Sequence, residues 1–405
     1  MTTRTPPIHD LELEWRTAQD LVQFTQRLIQ TPSLSTQEGE VAALIVDHLK
    51  ALGFPDVRVD PMGNILAVVG NGNGPTLLYD AHMDTVAASA PDQWPHPPHA
   101  AVIDNGTLYG LGAVDMKSAL ACMIYGARQL LSVQDRLNGR LVLAFVVQEE
   151  PCEGLAIRFV IEEDGIRPDY VLLGEPTALQ ISRGQRGRVL FKVSVRGKSA
   201  HGSQPEQGQN AIYAAARLVF GVQILADSLP KDPFLGPASI AVTALESHGA
   251  SLNAIPDQCT VYVDRRLTLG ETAMVAQAQL ESLLIRDEIP ASLEITTYSE
   301  PSYTGLTRTA RESYPAWVLD HTHPLVTELA QTIQAVRGDS PEIGYWPFST
   351  DGVYTMGQAN LPTAGFGPGD PALAHTSLEH VRLDDLTAAA HVYAGLAAAL
   401  LLGDR

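Results

Sequence analysis

The 405-residue sequence predicts an α/β fold, with a mixed sheet covered by helices and interrupted by a smaller ferredoxin-like α+β insert. Three features predict it. Strand-like apolar runs alternate with segments of helical period up to about residue 173. After Arg183-Gly184-Gln185-Arg186-Gly187 the order becomes β-α-β-β-α-β, as in ferredoxin-like units. Helical segments then resume towards the C-terminus. The length exceeds what one hydrophobic core usually serves, so the expected organisation is a discontinuous domain over 1–185 and 301–405 with an inserted lid over 186–300.

Taken in order, Asp20 to Gln30 and Glu38 to Leu52 carry helical spacing, and Gly53 stops the second. Val57 to Val59, Ile65 to Val69 and Thr76 to Tyr79 read as short strands. Lys117 to Leu131 is a predicted helix, Leu141 to Val147 a buried strand, Glu153 to Glu162 a helix and Tyr170 to Leu173 a strand. Within the insert, strands are expected at Val189–Val195, Ser239–Leu245, Cys259–Arg266 and Leu293–Tyr298. Helices are expected at Asn210–Leu225 and Glu271–Ile285, and beyond the insert at Pro324–Val336 and Leu383–Leu402.

Composition narrows the function classes. The formal net charge of -19 disfavours nonspecific binding to nucleic acid or anionic membrane. Met1 to Trp15 is polar and carries no apolar signal core. The Ala/Leu run from Ala388 to Leu402, broken by His391, suits a packed helix better than a membrane span. Three cysteines, Cys122, Cys152 and Cys259, show no CxxC spacing and favour a reducing, cytoplasmic location.

Chemistry concentrates at the predicted strand ends. Tyr79-Asp80-Ala81-His82-Met83-Asp84 places His82 and Asp84 two apart, on one side of an extended chain. The Asp84 carboxylate is therefore expected to fix the His82 tautomer. Asp115 follows the Gly-rich turn Gly110-Leu111-Gly112-Ala113. Glu149-Glu150 ends the apolar 141–147 run, Glu175 follows 170–173, and His375 lies in a polar loop. In open α/β sheets functional groups collect at the carboxyl ends of strands. Asp115 is the natural bridge between two cations, with His82 and Glu175 completing one and Glu150 and His375 the other. Imidazole and carboxylate ligands suit zinc. Glu149, directed away from Glu150 on an extended segment, is free to act as a general base. Blander explanations stand beside each: a helix cap for Asp115, a solvated Glu pair, a structural His–Asp hydrogen bond, a surface His375. All must hold together if the centre is absent.

Those segments, with Met116-Lys117, Gln148 and Gly174-Glu175-Pro176-Thr177, resemble the zinc-dependent aminoacylase and carboxypeptidase family. Its members include acetylornithine deacetylase, succinyl-diaminopimelate desuccinylase and glutamate carboxypeptidase. The resemblance implies a zinc-peptidase-like catalytic domain binding two Zn2+ per subunit, with Co2+ or Mn2+ as substitutes. It implies metal ligation by His82, Asp115, Glu150, Glu175 and His375, Asp84 orienting His82, and Glu149 as base. Gly197-Lys198-Ser199-Ala200-His201-Gly202-Ser203 and Gly208-Gln209-Asn210-Ala211-Ile212 resemble the family's dimerisation domain. That implies a homodimer in which His201 reaches the partner's site and polarises the scissile carbonyl. Phe348-Ser349-Thr350-Asp351-Gly352-Val353 and Gly365-Phe366-Gly367-Pro368-Gly369, with the 183–188 and 264–268 segments, are similar to the selenium-metabolism-linked hydrolases, whose name identifies no substrate.

The implied reaction is hydrolysis of a small N-acyl amino acid or related amide. A dipeptidase or carboxypeptidase on the same centre is the alternative, and a silent metal-binding scaffold is the remaining one. Arg266 and Asn253 resemble lid residues that hold a substrate carboxylate, although Arg266 equally suits a salt bridge with a neighbouring acid. Gly365 to Gly369, with Gly367 at its centre, could offer backbone N–H groups to a substrate anion, or simply form a turn. Arg183, Arg186 and Arg188 suit either a hinge or substrate binding, with hinge or surface use favoured. The sequence departs from the family at Leu111, Val114 and Leu378, which bears on hydrogen bonding around the ligands. Desuccinylases carry Arg where this chain has Val353, which disfavours a carboxylate-tailed acyl group.

Overall fold

The computed structural model describes residues 15–70 and 73–402. The signal-core reading of Met1 to Trp15 therefore lies almost wholly outside the described residues. Helices form where the 3.6-residue spacing places apolar side chains on one face: Trp15–Gln30, Gly39–Ala51, Lys117–Leu130, Pro324–Arg337 and Leu383–Leu401. No helix among the described residues is long and apolar enough to cross a membrane.

The larger sheet runs in the order 56–59, 65–70, 140–146, 76–82, 170–173, 363–365, 181–185 and 317–318, with 343–346 also paired to 181–185. At its centre, Thr76–His82 lies parallel to both Arg140–Val146 and Tyr170–Leu173. Thr363–Gly365 continues the parallel set beside Tyr170–Leu173. Every residue of Thr76–His82 is buried, the pattern of a strand covered on both faces. One group of helices, 15–30, 117–130, 324–337 and 383–401, packs together, while 39–51 and 155–162 pack on 56–59, 65–70 and 140–146. This parallel arrangement points the carboxyl ends of three central strands to one rim.

The insert forms a second antiparallel sheet in the order 239–248, 258–267, 187–196 and 291–295. With helices Ala211–Ala226 and Ala273–Arg286, that is the ferredoxin-like β-α-β-β-α-β unit. It has its own core, including Phe191, Val193, Leu218, Val261 and Leu280. Ser313–Tyr314 also pairs with Arg188 and Val189, so the lid sheet takes a short strand from beyond residue 300.

Several local expectations shift. The strand beginning at Thr76 runs on to His82, putting that side chain on the ladder itself. The helix expected from Glu153 begins at Leu155, after a turn. Leu293–Tyr298 splits into Ala291–Ile295 and Thr297–Tyr298. The three-residue strands 102–104, 107–109 and 380–382 carry too few residues to show a period.

Candidate metal centre

The strand 76–82 delivers His82 to the rim with its ring almost fully buried. Nε2 lies 2.9 Å from Asp115 Oδ1 and 3.8 Å from Glu175 Oε1. Asp115 Oδ2 faces the other way, 3.3 Å from His375 Nε2, which in turn lies 3.1 Å from Glu150. The ligand atoms of His82, Asp115 and Glu175 lie within 4.8 Å of one another, as do those of Asp115, Glu150 and His375. Two three-ligand groups thus share Asp115. The donors are imidazoles and carboxylates converging at the spacing that holds a divalent cation, so the residues present fit such ions.

Local structure explains how Asp115 is aimed. Gly112 takes φ +83°, a conformation that disfavours side chains, and the Lys117 stem packs against it. Buried Glu379 accepts from the backbone N–H groups of Val114 and Asp115, at 3.0 and 2.9 Å. The Lys117 ammonium donates to the Leu28 and Thr31 carbonyls. Burial lowers its pKa to about 7 against the raising influence of Glu379 and Asp84. The Asp115–Met116 peptide is cis.

Asp84 performs a different task from the one expected of its carboxylate. His82 Nδ1 is 2.9 Å from the Asp84 backbone carbonyl, while the nearer carboxylate oxygen is 3.7 Å away. That carboxylate instead accepts from Ser35 Oγ at 2.6 Å and from the N–H groups of Glu149 and Glu150 at 3.2 and 3.3 Å. Hydrogen bonds to a charged group contribute about 1.5–3 kcal/mol each, so Asp84 anchors the Glu pair. The reason is topological: the 140–146 strand lies beside 76–82, which brings its exit turn over Asp84.

Glu149 and Glu150 lie in that turn rather than on an extended segment. Gln148, with φ +54°, redirects the chain between the strand and the Glu pair. Such a conformation costs a non-glycine residue on the order of 1–3 kcal/mol. Glu150 turns to His375, whereas Glu149 Oε2 lies 4.0 Å from His82 Nε2. Glu149 Oε1 is buried without a hydrogen-bond partner.

The electrostatics follow from crowding. Burial and the charge of Glu175 push the Glu149 carboxyl well up. Burial and the charge of Asp115 do the same to Glu175 and raise Glu150. Burial opposes the ionised form of Asp115, yet hydrogen bonds from His375 and His82 outweigh it and hold that carboxyl below its usual range. Hydrogen bonds to Asp115 and Glu150 raise His375 to about 10. Four carboxylates against two histidines leave negative charge that protons or cations must neutralise.

A cavity of about 400 Å³ opens over this centre, lined by Asp115, Glu149, Glu150, Glu175 and His375 on one side and by Arg188, Arg266, Glu153 and Ser349 on another. A wider, open groove of about 530 Å³ on the lid, beside Leu284, Ile285 and Leu293, has only Glu281 and Glu288 as ionisable groups. Volume alone therefore does not locate the chemistry. Arg266 reaches the cavity while paired with Asp264, Nε to Oδ1 at 2.7 Å. The salt bridge anticipated for it is present, and it also lines the cavity. Arg188 joins the two halves, at 3.3 Å from Glu153 and 2.9 Å from Asp264. The sequence favours hinge or surface use for it over substrate binding, yet it lines the cavity as well as the junction; its alternation with the core residues Val189 and Phe191 was the available signal.

The other expected contacts differ. Asn253 is exposed and bonded to Ser251, and it does not line the cavity. His201 is also exposed, with Nδ1 2.7 Å from Ser203 Oγ, and stays outside the cavity of its own chain. Gly367 is corrected: its N–H donates to Thr177 Oγ1 at 3.1 Å and so has no proton for a substrate anion. A Cβ at Gly367 would strike the carbonyls of Gly174 and Glu175, so this glycine permits close packing behind Glu175. Val353 is buried against Gly154 rather than facing the cavity. Leu378 is exposed.

Asp80 and Asp351 were not assigned to the site. They line a hollow of about 10 Å³ beneath His82, Glu149 and Glu175. Burial and the charge of Asp351 push Asp80 well up. Its place two residues before His82 on one strand was the available clue.

With this geometry in place, relatives bear on identity. An uncharacterized protein YgeY of Escherichia coli strain K12 is 35% identical over 380 residues, covering 93% of each chain. A succinyl-diaminopimelate desuccinylase of Hydrogenovibrio crunogenus is 26% identical over 391 residues, covering 92% of this chain and 97% of its own. The metallo-carboxypeptidase Sso-CP2 of Sulfolobus solfataricus shares the fold with a TM-score of 0.76 at 16% identity, over 95% of this chain and 99% of its own. The model of peptidase family M20/M25/M40 matches residues 78–399, which contain every residue of both ligand groups, and the chain belongs to that family.

Proposed function

We propose that this protein is a metal-dependent hydrolase that cleaves the amide bond of a small N-acyl amino acid or a closely related substrate. The observation that carries this reading is the division of Asp115: one oxygen serves His82 and Glu175, the other His375 and Glu150, with partnerless Glu149 Oε1 close by. His82, Asp115 and Glu175 would hold one zinc ion, and Asp115, Glu150 and His375 a second. Ions bound there would lower the pKa of water towards neutrality and withdraw charge from the scissile carbonyl.

The protein side chains do the rest. Glu149 takes the proton of the attacking water and returns it to the departing amine. Arg266 and Arg188 stand where a substrate carboxylate can meet their remaining N–H groups. The 186–300 unit serves as lid and dimerisation domain. Tyr213, Phe220 and Ile224 share one exposed stripe of helix 211–226, beside the edge strand 239–248, and suit a second copy of the chain. His201 and Asn253 then act in the partner's site, His201 by donating to the developing oxyanion.

A panel of N-acetyl, N-formyl and N-carbamoyl amino acids and dipeptides, assayed with metal content per chain, tests the proposal. Zinc-dependent release of free amine from the acyl series is the expected result. Turnover confined to dipeptides would instead identify a peptidase, and no turnover across the panel would overturn hydrolysis of this class.

A further inference from the structure

The Gln148 side chain ties the turn bearing Glu149 to a chain crossing between the halves. Gln148 is buried and its left-handed backbone sets the direction of Glu149 and Glu150. Its N–H donates to Glu38 Oε1 at 3.0 Å. Its side-chain Nε2 lies 2.9 Å from Tyr298 Oη, 3.3 Å from the Pro301 carbonyl and 3.4 Å from that of Glu300. All three acceptors belong to the connection that leaves lid strand 291–295. A few residues further on, Tyr303 Oη donates to the Gly63 carbonyl and Thr304 Oγ1 to that of Pro61, fixing the connection to the larger half. Residues 298–301 are therefore the joint between a lid strand and an anchored turn. The first crossing, at Gln185–Gly187, shows no hydrogen bond to Gln148.

From these contacts we infer that Gln148 is a positioning residue: it holds Glu149 in register only while the 298–301 joint is seated. The inference rests on Glu149 acting as the base. A seated joint gives the amide its acceptors and keeps Glu149 beside His82. Displacement of the joint withdraws those acceptors and frees the turn. Misplacement of a reacting group by about 1 Å can cost ~10²-fold in rate.

Gln148→Glu keeps the volume and the backbone N–H but removes the side-chain donor, and Tyr298→Phe removes one acceptor from the opposite side. Measured on the zinc-loaded protein with the fastest substrate of the panel above, Gln148→Glu should lower kcat about 10- to 100-fold. KM should stay within about threefold and zinc content should be unchanged. Tyr298→Phe should lower kcat by a smaller factor, and the double variant should behave as Gln148→Glu alone, because both act through one contact. A kcat within about twofold of wild type, multiplicative losses, or a loss appearing in KM or zinc content would overturn the inference. If Gln148→Glu does not fold, Gln148→Met replaces it in the same cycle.

Failure of the hydrolase reading is recognised separately, because the unmodified protein would then turn over no member of the panel. Amide hydrogen exchange still decides in that case. Gln148→Glu should speed exchange in 147–152 and in 297–302 together. Acceleration confined to 147–152 would show that no coupling to the joint exists.

Discussion

The rim of the larger sheet and the exposed loops of the lid both carry motifs that resemble one family but have contrasting structures. At the rim, His82, Asp115, Glu150, Glu175 and His375 converge within one chain, backed by Asp84 and Glu379. On the lid, His201 and Asn253 are exposed and line no part of the cavity. The contrast teaches that one chain brings all five candidate ligands together, whereas the lid motif bonds only to its own neighbours, away from that cavity. Strand ends in a buried parallel sheet have fixed positions, while loops on a small separate core can be carried to a new place.

The sharpest way to break this contrast lies in the rim. Asp115→Ala should release both ions and reduce turnover to background, as read by metal content and rate together. Retention of one ion per chain would show that the two groups do not depend on a shared bridge. Glu149→Gln should leave metal content unchanged and lower kcat by ~10²–10⁴-fold. Near-wild-type activity in that variant would remove Glu149 from proton transfer.

The next effect concerns the lid. His201→Ala should reduce kcat ~10²–10³-fold, the size of a lost oxyanion donor. If the residue acts across a dimer, mixing and reassembling His201→Ala with Glu149→Gln should restore activity. One site of the mixed dimer then contains both intact groups. A mixture no more active than its components would place His201 outside the partner's site.

The last effect is a pH dependence of metal uptake, read in affinity rather than in rate. The metal-free cluster holds His375 near 10 through Asp115 and Glu150, and burial and neighbouring charge raise Glu150 and Glu175. A cation must displace those protons, so affinity should fall as pH falls, by about tenfold per unit for each proton displaced. Zinc titration across pH 5.5–8 with proton-release calorimetry measures the slope, and a flat profile would contradict the protonated metal-free state. The sign follows from pKa values raised above those of the free groups: lower pH favours the proton-bound form.

Much of the rim was legible from sequence because its signals are local. The 76–79 run is apolar and buried on both faces, so it reads as a strand leading to His82, although the ladder itself runs on to that residue. Glu149 and Glu175 each follow a similar run. The hydrogen bond of His82 was misread because alternation reports which side a residue faces, not which atom of Asp84 lies nearer. Gly367 was misread because the use of its N–H by Thr177 depends on a contact 190 residues away. Arg188 and Glu153 escaped notice as a pair because one lies on a lid strand and the other in a turn of the larger half.

What the sequence by itself determined is the alternation of strands and helices, the ferredoxin-like insert, and the donor types waiting at the strand ends. Periodicity and residue chemistry are properties of neighbours along the chain, and they survive without knowledge of packing. Only the tertiary structure decided which oxygen of Asp115 faces His82 and which faces His375, that Asp84 secures the Glu pair, and that His201 remains outside its own chain's cavity. Those outcomes turn on distances of a few ångströms between segments up to 265 residues apart, such as Glu379 against Val114. Strand order and core packing set such distances, and no local pattern in the sequence encodes them.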